Sequence, residues 1–126
     1  MKLSVPRDSL SGALQLVGRA VSTRGTLPSL GGILVNAAEG GLTLRATDME
    51  LALTSTLDDA TTEQEGTVLL PGRLFSDVVR SLPPGEVRLE LRAEQRDVEI
   101  AAGGARFHLR TLPAVSYTHL TLPTKA

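Results

Sequence analysis

The side chains with the clearest capacity for chemistry are arginines placed at helical spacing. Arg73, Asp77 and Arg80 follow one another at i, i+4 and i+7, which puts them on one face of a helix. Arg19 lies near the end of an earlier predicted helix, and Arg24 follows in the next loop. The four arginines therefore predict a mildly positive helical surface, although ordinary solvated helix residues would produce the same pattern.

Bond-making chemistry has little support in the sequence. Asp48 and Glu50 form an acidic pair, but the surrounding alternation puts them at a hairpin turn and on a solvated strand face. Asp58 and Asp59 lie in a polar segment, and no nucleophile, base and orienting group occur together. The phosphate loop Gly-x-x-x-x-Gly-Lys-Ser/Thr is also missing. We therefore predict no catalytic residue, no cofactor and a protein that is not an enzyme.

Composition excludes further classes of site. The chain of 126 residues contains no Cys, and His108 and His119 lack ligand-type spacing, so we predict no metal site. Aromatic residues make up 2% of the chain, which argues against base stacking on single strands. The net charge of −1 predicts no bulk attraction to nucleic acid or to an acidic membrane. Because an apolar signal core and a long apolar run are both lacking, we expect a cytoplasmic protein without a membrane partner.

Two helical patterns supply the elements that carry the arginines. Each begins just after a proline, Pro6 or Pro71. The first has apolar positions spaced for a helix of about four turns, namely Leu10, Ala13, Leu14, Val17 and Val21. The second ends before Pro83 and has its apolar stripe at Leu74, Phe75, Val78, Val79 and Leu82.

Alternating apolar and polar residues predict antiparallel strands with one buried face around these helices. The strand segments are 1–5, 33–35, 42–46, 49–55, 67–70, 87–93, 98–100 and 105–111. The polar segment Asp58–Glu65 predicts a loop.

The order strand, proline, helix and three strands occurs twice. Pro6 corresponds to Pro71, 65 residues later, and Leu42 corresponds to Val98, 56 residues later. The second offset also pairs Leu51 with Phe107 and Leu53 with Leu109. We therefore predict an α+β fold of duplicated β-α-β-β-β units, with two helices packed on antiparallel sheets. One domain spans 1–114, with repeats at 1–60 and 65–114.

Several segments resemble the bacterial DNA polymerase III beta subunit, the sliding-clamp family. They are RGTLPSLGGIL at 24–34, LRATDMEL at 44–51, LPGRLF at 70–75, Ser81–Pro83 and ARFHLRTLPA at 105–114. The segments occur in the family's order and match the first of its three domains, a DNA-clamp fold. The resemblance implies a head-to-tail homodimer that forms a ring, with duplex DNA in the centre and helices lining the hole.

The resemblance also implies a function and DNA-contacting residues. It implies a processivity factor for DNA replication, which encircles double-stranded DNA without reading its sequence and so tethers the replicative polymerase. Arg24 and Arg73 match family positions that contact DNA, whereas Arg19 and Arg80 rest on the helical-face argument. The alternative is a duplicated α+β protein-interaction module that does not contact DNA.

The resemblance implies a contact between protomers as well. Arg106, Phe107 and Leu109 match positions in the family's dimer interface, where this domain contacts the partner's third domain. The alternation puts Phe107 and Leu109 on the core side of their strand, so an ordinary core role stays open for both.

The resemblance further implies that this chain is a fragment. In the family, the polymerase and the clamp loader bind between the second and third domains, which are missing here, so we expect no closed ring. Residues 115–126 depart from the family's pattern and resemble translated sequencing-adapter sequence. We predict a non-native or disordered tail, in which Tyr117 and His119 carry no function.

Overall fold

A computed structural model describes residues 1–20, 32–47 and 52–112. The first part of the chain forms β1 (Lys2–Pro6), α1 (Arg7–Val17), a 3-10 turn (Gly18–Ala20), β2 (Gly32–Ala38), β3 (Gly41–Thr47), β4 (Ala52–Leu57) and β5 (Thr61–Gln64). The second part forms β6 (Gly66–Pro71), α2 (Gly72–Ser81), β7 (Glu86–Arg92), β8 (Asp97–Ala102) and β9 (Ala105–Arg110). The α+β class, with two helices on antiparallel sheets, is thereby confirmed. Neither helix in these ranges is long and apolar enough to cross a membrane.

The strands form two antiparallel sheets that exchange their first strands. One sheet has the order β5-β1-β7-β8-β9, and the other has the order β4-β3-β2-β6. Thus β1 pairs with β7 of the second part of the chain, and β6 pairs with β2 of the first. The limits 1–60 and 65–114 for the repeats stay a prediction, and the predicted tail at 115–126 lies outside the described residues.

One apolar core lies between the helices and both sheets. The stripe of α1 is confirmed at Leu10, Ala13, Leu14 and Val17, which are all buried, whereas Val21 lies outside the described residues. Phe75 and Val79 of α2 are fully buried, with Val78 packed against the same core. The alternation along β3, β7 and β8 likewise turns every second side chain toward the core, as strand geometry requires, and Leu91 at the end of β7 is half-buried there.

Three sequence-based expectations about these elements are wrong. α1 ends at Val17 rather than near Val21, because Gly18 favours the helix poorly and the chain tightens there into a 3-10 turn. The segment predicted as a loop contains β5, a polar, Thr-rich edge strand that pairs with β1. Leu74 is 54% exposed, because it lies at the side of α2, about 100° around the helix from Phe75.

The correspondence of the last strands is also corrected. Leu57 lies opposite Leu42, as Leu109 lies opposite Val98, so β9 aligns with β4 through Leu57 and not through Leu53. The constant offset fails because the connection from β3 to β4 is longer than the turn at Gly103 and Gly104, and because each paired arm from Leu42 and Leu57 to that connection is one residue longer than its counterpart. That turn is tight because Gly103 takes a positive φ of 58°.

Candidate functional site

Each helix begins directly at the end of a strand. Pro6 and Pro71 occupy the N-cap positions with φ of −62° and −60°, and neither helix has a side-chain cap. Because the proline ring fixes φ near this value, the chain turns from strand to helix in the same way twice. Pro6 is paired with Glu86 across the first sheet, and Pro71 with Gly32 across the second. The two helices are therefore set in equivalent positions by the exchanged strands.

A groove of about 240 Å³ runs between the two helices. We call it the interhelical groove, and its lining residues are Ser11, Leu14 and Gln15 from α1, Gly18 from the 3-10 turn, and Arg73, Ser76, Asp77 and Arg80 from α2. The helices run antiparallel, since the backbone N–H of Arg7 at the start of α1 donates to the carbonyl of Gly85 beyond α2, at 2.8 Å. Most of the lining side chains carry hydrogen-bond donor groups, which suits an anionic ligand.

The charges of the interhelical groove come from three residues of α2. Arg73, Asp77 and Arg80 all lie on its exposed surface, in agreement with their helical spacing. The Asp77 carboxylate pairs with the Arg80 guanidinium, and the two side chains are 52% and 63% exposed. Within residues 1–20, 32–47 and 52–112, Arg73 forms no ion pair. The trio therefore carries a net charge of +1.

Of the other two arginines that were predicted to contact DNA, the structure describes only Arg19. Arg19 is exposed in the 3-10 turn, one residue beyond Gly18 at the end of the interhelical groove. Arg24 lies outside the described residues. The structure thus brings Arg73 and Arg80 together and puts Arg19 near the same groove.

Arg7 is a residue of this region that the sequence reasoning missed. Its Nη2 donates to the main-chain carbonyl of Arg80 at 3.3 Å, and its Nη1 contacts Asp8 at 3.2 Å. A cation at the carboxyl end of α2 complements that helix's dipole, so Arg7 holds the two helices together. The available sequence signal was its position, because an arginine in the first turn of α1 opposes the dipole of its own helix.

The predicted interface residues lie on β9, an end strand of the five-stranded sheet. Arg106 is exposed and its Nη1 lies 3.0 Å from Oε2 of Glu99 on β8. Leu109 is buried and Phe107 is half-buried against the core, so the inward orientation expected from the alternation is present. Among the described strands β9 pairs only with β8, which leaves backbone groups along its other side for a further strand.

A bidentate arginine–carboxylate pair closes the hairpin of β7 and β8. Nε and Nη2 of Arg92 donate to the two carboxylate oxygens of Asp97 at 2.8 Å and 3.0 Å. These hydrogen bonds hold the pKa of Asp97 below its ordinary value and raise the pKa of Arg92. The pair lies on the first sheet, outside the interhelical groove, and its role is structural.

The groove offers binding chemistry rather than bond-making chemistry. Its lining contains two guanidinium groups, one carboxylate, two hydroxyls and one amide, without a histidine. In the part of the chain that the structure describes, His, Asp and Glu form no cluster of three that would hold a metal ion. The arrangement can therefore contact phosphate groups through flexible cations.

The chain resembles known proteins over nearly its whole length. The family model for the N-terminal domain of the DNA polymerase III beta subunit matches residues 1–121. The beta sliding clamp of Escherichia coli (strain K12) is 36% identical over 121 residues, which are 95% of this chain and 32% of that relative. The beta sliding clamp of Streptomyces coelicolor is 38% identical over 120 residues, 95% of this chain and 31% of the relative.

Solved structures agree with these relatives. The crystal structure of the DNA polymerase sliding clamp from Bacillus subtilis superimposes with a TM-score of 0.88 at 33% identity, over 93% of this chain and 32% of that one. A pol III beta structure from Caulobacter crescentus gives a TM-score of 0.86 at 31% identity, over 100% and 33% of the two chains. The chain spans about a third of the length of the relatives it matches. It belongs to the DNA polymerase III beta subunit family, whose N-terminal domain it matches.

Proposed function

We propose that this chain is the first domain of a ring-shaped sliding clamp, the processivity factor that tethers a replicative polymerase to duplex DNA. The observation that carries the proposal is the exposed pair Arg73 and Arg80 in the interhelical groove of a chain that belongs to this family. The domain works as a non-catalytic part of the polymerase assembly. In a bacterial cell its place of action is the cytoplasm, where the duplex lies.

The charge of the groove suits a protein that must slide. Each phosphate neutralised by a protein cation adds about −0.9 to the slope of log affinity against log salt, so many contacts would fix the protein in place. Two arginines with long flexible side chains position a duplex through its phosphates and read no bases. Arg19 and Arg24 extend the same proposed contact beyond α1.

The proposed partners follow from the same family. A second protomer would join head to tail, with Arg106, Phe107 and Leu109 of β9 at the interface. The open side of β9 supports this proposal, because an end strand offers unpaired N–H and C=O groups to a strand of another domain. The polymerase and the clamp loader would bind through parts of the clamp that lie beyond this third of its length.

The DNA contact is tested by titrating the chain with a short duplex at low salt and following backbone amide signals by NMR. We expect shifts along α1 and α2, and a weaker association for Arg73→Ala, for Arg80→Ala and most of all for the double variant. Arg88→Ala is the matched control, since Arg88 is an exposed arginine on β7, away from the groove. If the double variant and the control bind alike, the groove is not the DNA contact.

Encirclement is tested with the complete protein that contains this domain. A ring should stay on nicked circular DNA and slide off linear DNA whose ends are free. Equal retention on both would contradict the clamp mechanism while leaving the fold unaffected.

A protein-interaction module without DNA contact is the second candidate, and β4 favours it. This end strand of the four-stranded sheet has the uncharged sequence ALTSTL, which leaves it open to pairing with another protein's strand. A titration in which duplex DNA shifts neither helix would select this candidate.

A further inference from the structure

An acidic side chain lies in the middle of the surface assigned to phosphate contact. Asp77 follows Arg73 by four residues and precedes Arg80 by three, so it stands between the two arginines along the interhelical groove. Its carboxylate is paired with the Arg80 guanidinium. A phosphate that approaches Arg80 therefore meets a negative charge that already occupies the same donor.

The folded structure gains little from this carboxylate. Asp77 and Arg80 are both more than half exposed, and exposed ion pairs three residues apart add little to helix stability. Asp77 also lies in the second half of α2, away from the first turn, where a negative charge would favour the helix dipole. The main effect of Asp77 is thus on the charge of the groove.

We propose that Asp77 is an intramolecular competitor of DNA phosphate for Arg80. This inference rests on the proposed function, because it concerns the same groove. The carboxylate occupies the Arg80 guanidinium whenever the duplex moves, so each phosphate must displace it and contact stays brief. Arg73, which has no such partner in the described ranges, makes the first contact, and Arg80 makes the second only in exchange for Asp77.

The substitution Asp77→Asn tests the charge of this side chain separately from its shape. Asparagine keeps the size of the side chain and an oxygen acceptor but loses the negative charge. Because Arg80 is then released from its ion pair, the duplex gains one full phosphate contact. The slope of log affinity against log salt concentration becomes steeper by about 0.9. The loss of affinity between about 50 and 200 mM salt should then be about 3.5-fold larger than for the natural chain.

Glu63→Gln is the matched control for the added charge. Glu63 is 49% exposed, close to the exposure of Asp77, and its Oε1 lies 3.7 Å from Nζ of Lys2 on the sheet edge. Both substitutions raise the net charge by one and break an ion pair at the protein surface. We expect Asp77→Asn to bind a short duplex more tightly and with the steeper slope in NMR titrations, and Glu63→Gln to change both much less. Equal effects, or weaker binding by Asp77→Asn, would overturn the proposal.

The double variant Asp77→Asn/Arg80→Ala tests whether the gain in DNA binding caused by Asp77→Asn acts through Arg80. Competition for Arg80 requires that Asp77→Asn improve binding only while Arg80 is present, so its gain should disappear in the Arg80→Ala background. A gain that persists there would mean direct repulsion of phosphate and would overturn the proposal. If Arg73→Ala/Arg80→Ala does not affect binding, the proposed function fails instead, which separates the two failures.

Discussion

Replacing Leu89 with alanine probes the centre of the five-stranded sheet. Leu89 is fully buried on β7, between Leu3 of β1 and Ile100 of β8, which are its paired residues across the sheet. The substitution deletes three carbon atoms, whose burial contributes about 0.8 kcal/mol each. The unfilled cavity adds to this loss, so we expect about 3–4 kcal/mol less free energy of unfolding.

The comparison variant is Leu74→Ala, the same chemical change at an exposed position of α2. Leu74 is 54% exposed, and alanine is at least as favourable as leucine in a helix, so we expect a change within about 0.5 kcal/mol. Urea unfolding followed by circular dichroism measures both variants, provided that the slope against urea is unchanged. For a chain of this size, the loss at Leu89 corresponds to a melting temperature lower by about 10–15 °C.

Two results would refute this reasoning. A loss below about 1 kcal/mol for Leu89→Ala would mean that the side chain is not enclosed on both sides as the strand pairing requires. Equal losses for the two variants would mean that the inner and outer surfaces of the domain are wrongly assigned. A core role for β1 would then also be in doubt, because Leu3 is buried against Leu89.

Gly66→Ala should destabilise the protein by about 1–3 kcal/mol in the same urea assay, because an added Cβ would lie 2.9 Å from Cβ of Met1. Gly12→Ala, in a helix with open space around it, should instead stabilise by up to about 1 kcal/mol, and the opposite order would contradict the packing. The lowered pKa of Asp97 contributes stability that is present above its unfolded pKa, about 4, and is lost as pH falls through the lower folded value. Stability measured from pH 6 down to pH 2 should therefore decline less in Asp97→Asn, and parallel curves would show that Arg92 does not act on this carboxylate.

The periodicity of apolar residues was sufficient to predict those elements that can be recognised without knowing which strand or helix they contact. Period-2 alternation located β3, β7 and β8, and the helical stripe located α1 from Leu10 to Val17. β5 was missed because its pairing with β1, not its composition, makes it a strand. Nor does the repeated order of elements say which sheet receives β1, since that depends on contacts between the two parts of the chain.

At the candidate site, too, some relations between residues could be predicted from the sequence and others could not. The spacing of Arg73, Asp77 and Arg80 was enough to put them on one surface of α2, because helix geometry fixes that relation. The role of Arg7 was not predictable, since its partner is a main-chain carbonyl 73 residues away. The ion pair between Asp77 and Arg80 was also not predictable from the sequence. Helical spacing allows this pair without requiring it, so the side-chain positions were needed to establish it.

Because β1 pairs with β7 from the second part of the chain, this pairing is delayed during protein synthesis. β1 is among the first segments made, yet Leu3 pairs with Leu89, 86 positions later. At 5–20 residues per second, the interval before β7 is made is roughly 4–17 seconds. The ribosome will thus have completed α1, β2, β3 and β4 while β1 still lacks its inner neighbour. The native sheet containing β1 therefore closes only near the end of the domain's synthesis.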